Sequence, residues 1–127
     1  MEPLTLGRIE SAICSSFAIE FCAEDDVPFW SPDNPSRGHC AVAALTLNDL
    51  LGGQLLVADI LRDGIRVGVH YWNRLTSVDV DLTRQQFHSN EVVGVPQIVE
   101  RPPGPPDNYA DQYDGFRARV GLRLLET

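Results

Sequence analysis

A chain of 127 residues fits one compact domain, 1–127, with little room for a second. Hydrophobic residues at 43% and charged residues at 22% exclude a disordered chain. The formal net charge of -8, with no cluster of Lys and Arg interleaved with aromatics, excludes a phosphate-tracking groove, so nucleic acid is not an expected partner.

The opening residues lack a basic region followed by an apolar core, and no apolar run approaches the length that spans a bilayer. The expectation is a cytoplasmic protein that does not engage membranes. Three cysteines, Cys14, Cys22 and Cys40, without C-x-x-C spacing suggest neither a disulfide framework nor a zinc knuckle.

In chain order, Leu6, Ile9, Ile13 and Phe17 recur at helical spacing behind Thr5 as a cap, which predicts a packing helix from Leu6 to about Phe21. Cys14 and Cys22 are expected to act as small buried hydrophobes of that region. Ala23 to Gly38 is dense in Asp, Pro, Asn and Gly and reads as an ordered loop without regular structure. Good helix formers follow from Ala41 to Leu51, stopped by Gly52-Gly53, with Val42, Leu45 and Leu50 offered to the core, so Cys40 stands at a helix N-terminus. Gln54–Leu61 and Ile65–Arg74 read as strands joined at Asp63-Gly64, and Val78–Leu82 as a third. A fourth strand over Glu91–Val99 is weakened by Gly94 and Pro96 and belongs at an edge. Arg101 to Asp107 is a stiff Pro-rich turn. Tyr109, Tyr113, Phe116, Val120 and Leu124 then form a helical stripe, capped by Asp107 or Asn108. The fold class is α+β: an N-terminal helix, a helix starting at Cys40, an antiparallel meander of three to four strands, and a C-terminal helix. Internal repeats and low-complexity segments are not found.

The chemistry gathers around Cys40. A thiol attacks as thiolate, and a helix start beside an imidazolium lowers its pKa while offering unpaired N–H groups to an oxyanion. His70 is the expected base and Asp81 its orienting partner. That assignment requires both acids of the third strand to share a face with His70. Pairing Arg74 with Ser77 around Leu75-Thr76 does so, whereas a one-residue shift substitutes Val80 and Leu82 and defeats it. Asp79 is the alternative acid or a solvated strand residue, and Asn73 has a structural role. Trp72 either roofs the site or packs half-buried.

Gly38-His39-Cys40-Ala41-Val42-Ala43-Ala44-Leu45, then His70-Tyr71-Trp72-Asn73, then Val80-Asp81-Leu82-Thr83, resemble the transglutaminase-like core, within the wider set of papain-like cysteine enzymes. In that core a cysteine begins a helix, His-x-Trp lies on one strand and Val-Asp-Pro-Thr on the next. Leu82 stands where that motif carries proline. Trp30-Ser31-Pro32-Asp33-Asn34-Pro35-Ser36-Arg37-Gly38, with His70 to Leu75 and Asp81-Leu82-Thr83, resemble the YunG-like family of small bacterial proteins over most of the chain. The first resemblance implies thiol chemistry on amides: peptide hydrolysis, deamidation or transamidation on a peptide or protein substrate. It implies Cys40, His70 and Asp81 as the catalytic set; Trp72, Arg37 and Trp30 are the candidate substrate-binding residues beside them.

Three readings stand side by side. The first is a cysteine-dependent amide hydrolase or acyl transferase. The second is a binding or regulatory module without turnover, whose acidic surface suits a basic partner. The third, a zinc site of Cys40, His70 and Asp81 with His39, is disfavoured by adjacent ligands, so no metal or cofactor is expected. His39 is otherwise a loop residue near the site, and His88 is exposed. Arg37 either meets a substrate carboxylate or the thiol, or pairs with Asp33.

Overall fold

The computed structural model describes residues 3–101 and 109–126. Helix α1 (Leu6–Cys14) begins where the Arg8 amide donates to Thr5 Oγ1 at 3.2 Å, and it buries Ile9, Ala12 and Ile13. It stops short of Phe21 because Ser15 and Ser16 both donate back to the Ala12 carbonyl, at 3.1 and 2.6 Å, which competes with continuation of the helix. Phe17 still reaches the core, and a 3-10 turn at Ile19–Phe21 buries Phe21. Cys22 is buried, but Cys14 is exposed, contrary to the expectation, because it lies off the stripe that Ile9 and Ile13 define.

The loop that follows has more regularity than expected, with a 3-10 helix at Glu24–Phe29. It returns to the body at Gly38, whose φ of +76° and close approach to Cys22 Sγ and Asp26 leave no space for a side chain. The Ala23 amide donates to the Gly38 carbonyl at 3.0 Å, which closes the loop. Helix α2 (Cys40–Leu51) starts directly after it and ends at Gly52, φ +72°. Its Val42, Ala43 and Leu47 pack with α1 and with Tyr113, Phe116 and Val120 of α3 (Ala110–Leu125). Each large apolar side chain buried here contributes about 1.5–3 kcal/mol, so this helical cluster is the principal core. The Pro-rich turn and the expected caps Asp107 and Asn108 lie outside the described residues, and Tyr109 occupies the cap position of α3.

One antiparallel sheet carries the rest. Strands β1 (Gln54–Arg62) and β2 (Ile65–Leu75) form its centre, β3 (Val78–Val80) flanks β2, and β4 (Glu91–Val93) and β5 (Gln97–Val99) both pair with the far edge of β1. The expected fourth strand is therefore one edge strand broken in two. Ile60 pairs with Val93 but Leu55 with Val99, a one-residue slip taken up around Gly94 and Pro96, with the Gly94 amide still donating to Asp59 at 2.8 Å. On one face Leu56 and Ala58 cluster with Trp72 and Val93. On the other, α2 is anchored by Asn73, whose amide donates to the Ala44 carbonyl at 2.9 Å.

Substituting Gly38→Ala is expected to destabilise the fold by about 2–3 kcal/mol, because left-handed backbone strain adds to overlap with Cys22 and Asp26. Urea denaturation checks this; a midpoint within experimental error of the wild type would show that the crossing is not tight.

Candidate active site

The turn between β2 and β3 decides which side chains share a face. Leu75 pairs with Val78 and Asn73 with Val80, so the turn is Thr76-Ser77, with Thr76 at φ +58°. It sits one residue later than Leu75-Thr76, yet its even length preserves the parity that matters: Asp79 and Asp81 lie on the His70 face, and Val80 on the opposite one. Strand β3 ends at Val80, so Asp81 stands just past it, where the chain bends toward the 3-10 turn Arg84–Gln86.

His70 is fully buried. Its Nε2 meets Asp81 Oδ2 at 2.7 Å, and its ring lies between Trp72, stacked at 5.4 Å, and Phe87, edge-on at 4.8 Å. Burial pushes the Asp81 carboxyl up, but the bond and charge of His70, with Arg84 and the Thr83 amide, hold it below its ordinary value. An ionised Asp81 accepts, so Nε2 carries a proton. Nδ1 is buried and has no hydrogen-bond partner. The two acids divide their work: Asp79, half-exposed, accepts from Trp72 Nε1 at 3.1 Å and Arg74 Nε at 2.6 Å, which fixes the indole and leaves His70 to Asp81. Trp72 is buried, and Arg84 stacks over it while donating to Asp81 Oδ2 at 2.7 Å.

Cys40 is the first residue of α2, half-buried, where the helix reaches β2 beside Tyr71. It shares a narrow cleft with Trp72, Asp81 and Thr83. Burial pushes its thiol up to about 11; the main chain at Tyr71 and Ala41 pulls down, while Asp26 and Asp81 push further up. The thiol makes no hydrogen bond to His70 among the described residues. Cys40 thus rests as a protonated thiol despite its place at the helix start.

The remaining expected residues are placed differently. Arg37 does not pair with Asp33. It is buried and donates to both carboxylate oxygens of Glu91, at 2.7 and 3.2 Å, and through Nε to Asp26 at 3.1 Å. Its charge is thereby engaged within the fold. Trp30 donates to the Pro35 carbonyl at 2.9 Å and holds its own loop; it lines none of the three cavities that meet at Cys40. His39 is not an open loop residue but the buried cap position of α2, packed on Phe17, with Nδ1 at the Arg37 carbonyl and Nε2 at Ala18. Among the described residues no group of three or more His, Cys, Asp or Glu gathers to hold a metal ion. His88 is exposed.

A family model described as YunG protein matches residues 5–124, from the cap of α1 to the last turn of α3. The chain belongs to the YunG family. Among curated proteins and solved structures nothing matches it. In this YunG-family chain the residue that joins the halves of the site is one the sequence did not mark. Buried Gln86 accepts from the Gly38 amide at 3.1 Å and donates to the Thr83 carbonyl at 2.9 Å, so it spans from the approach to Cys40 to the bend after Asp81. Its own carbonyl accepts from Asn34 Nδ2 at 2.9 Å. Arg84 was detectable as a base three residues beyond Asp81; Gln86, Phe87 and Glu91 carry no local signal.

Burial pushes Glu91 up, but Arg37, the His88 amide and Arg62 outweigh it and bring the carboxyl from its ordinary 4.5 to about 2. A carboxyl depressed on folding stabilises above its unfolded pKa and loses that contribution as pH falls through its folded one. Stability is expected to fall between pH 4.5 and about 2, with a loss on the order of 3 kcal/mol from this group. The Glu91→Gln protein should be less stable at neutral pH and flatter across that window; parallel wild-type and variant curves in urea unfolding would contradict the assignment.

Proposed function

We propose that this YunG-family protein is a cysteine-dependent amide hydrolase or acyl transferase in which Cys40 is the nucleophile, His70 the base and Asp81 its orienter. The observation that carries the reading is the buried His70, bonded through Nε2 to Asp81 while Nδ1 is left without a partner, with Asp81 itself lining the cleft that Cys40 lines. A core histidine kept only for packing would satisfy both nitrogens, as His39 does. The order of a helix-borne thiol, a histidine on one strand and an aspartate past the next is similar to the transglutaminase-like core, and that placement supports the same chemistry on a peptide or protein.

The step follows from the protonation states. As sulfur attacks the amide carbon, the S–H proton passes to His70 Nδ1, and the carbonyl oxygen takes the electron pair near the unpaired N–H groups at the start of α2. Collapse breaks the C–N bond, and Nδ1–H protonates the leaving amine. The thioester is then released by water, giving hydrolysis, or by a second amine, giving transfer, with His70 again taking the proton. Asp81 stabilises the imidazolium throughout.

A second reading rests on the raised Cys40 thiol and its lack of a bond to His70: the scaffold binds a partner without turnover. The p-nitrophenyl acetate reaction separates the two, in a Cys14→Ser background that removes the exposed thiol. Acetylation is expected on Cys40, followed by release, and His70→Ala should slow it about 10²–10⁴-fold. Acetylation that is absent, or equal in His70→Ala, would overturn the enzyme and favour the binding module.

A further inference from the structure

Two of the cavities that meet at Cys40 have volumes of about 340 Å³ and about 190 Å³, and Ala23, Asp26, Cys40 and Val69 stand in the walls of both. The ridge between them is the free edge of β2. Strand β3 covers β2 only from Asn73 to Leu75, so among the described residues no strand lies beyond Ile65 to Trp72 on that side. The two-residue turn makes Leu75 and Val78 a hydrogen-bonded pair, so the main-chain groups of alternate residues, Asn73, Tyr71 and Val69, point outward along that edge. Tyr71 spends its outward group beside the Cys40 sulfur. Val69 comes next along the edge, beside Gly68, where nothing approaches within 4 Å of the position a side chain would take.

The charges around this edge are unequal in availability. Arg37 and Glu91 are consumed by each other, and Arg62 donates to Glu91 at 2.9 Å. Asp25 is exposed and has no ion-pair partner among the described residues, and Asp26 meets Arg37 through one oxygen only. Both acids line the larger cavity.

We propose that the substrate is a polypeptide in extended conformation that adds as a strand to the free edge of β2 at Val67–Val69 and presents a basic side chain to Asp25 and Asp26. Pairing with the edge brings one of its main-chain amides to Cys40, the next group along the ridge. The inference rests on the reading of Cys40 as nucleophile for its chemistry, but the recognition is measurable without turnover.

The test uses the Cys40→Ala protein and blocked heptapeptides of alternating Val and Thr with a central Lys or a central Glu, together with a scan of single N-methylated amides. Calorimetry is expected to show the Lys peptide binding about tenfold more tightly than the Glu peptide, and N-methylation costing about tenfold at alternate positions only. Asp25→Lys should invert the charge preference. Val69→Pro, which removes an outward N–H while sparing the ladder to β1, should abolish binding; if that protein does not fold, the N-methyl scan decides alone. Equal binding of both peptides, or a flat scan, overturns the proposal, and does so without touching the nucleophile if His70-dependent acetylation of Cys40 persists. Binding with the expected pattern in a protein that fails acetylation upholds the edge and removes the chemistry.

Discussion

The buried pairing of Arg37 with Glu91 is the contact on which the site depends. It joins residues 54 apart in the chain and brings the loop before α2 onto the segment that covers the His70 face of the sheet. A buried ion pair is a doubtful source of stability against apolar residues of the same shape, but losing one partner leaves the other charged and unsolvated, at a cost of about 3–5 kcal/mol. Here the arrangement is satisfied around its rim: Asp26 takes Arg37 Nε, Arg62 and the His88 amide complete Glu91, and Phe29 stacks on both arginines. Its effect is geometric. It fixes where Gly38, and hence Cys40, meets β2.

Around His70 the same segment excludes water. Phe87 closes one side of the ring and Trp72 the other, while Asp79 and Arg84 hold the indole in place. An imidazole in such surroundings gains from a carboxylate at one nitrogen because the imidazolium it forms is stabilised where solvent is absent. The thiol is treated in the opposite way. Desolvation and two carboxylates keep Cys40 protonated at rest, so in the proposed reaction attack and proton transfer to His70 would be a single event with substrate present. In that proposal the helix start would contribute N–H groups for the oxyanion more than a thiolate.

Much of this was legible in the sequence because it is local. The stripe of Tyr113, Phe116 and Val120, the stop at Gly52-Gly53 and the alternation of β2 read directly as periodicity and turn chemistry. The parity of the β2–β3 hairpin was also legible, since only an even turn puts acids rather than valines beside His70. Its position was not: Thr76 adopts a left-handed conformation that β-branched residues seldom take, so nothing marks Thr76-Ser77 as the turn. A bulge at Val67, which pairs Leu61 with Arg66 and Ile60 with Gly68, breaks the expected alternation below Gly68 for the same reason. The early end of α1 at Ser15-Ser16 was obscured because Phe17 continues the helical period while the backbone leaves it. What the sequence hid altogether is non-local: Arg37 finding Glu91 and not Asp33, His39 turning into the core, and Gln86 bridging to Gly38. These pairings depend on where the loop crosses the sheet, and no spacing encodes them.

The central claim is that Asp81, His70 and Cys40 form one proton-transfer unit with the lone pair of His70 at Nδ1. Long-range nitrogen–proton correlation spectra of the His70 ring at neutral pH, in the wild type and in Cys40→Ser, test it most directly. The account predicts a proton on Nε2, an unprotonated Nδ1, and an Nδ1 resonance that moves when Cys40 is replaced. A proton on Nδ1, or an Nδ1 indifferent to Cys40, would contradict it.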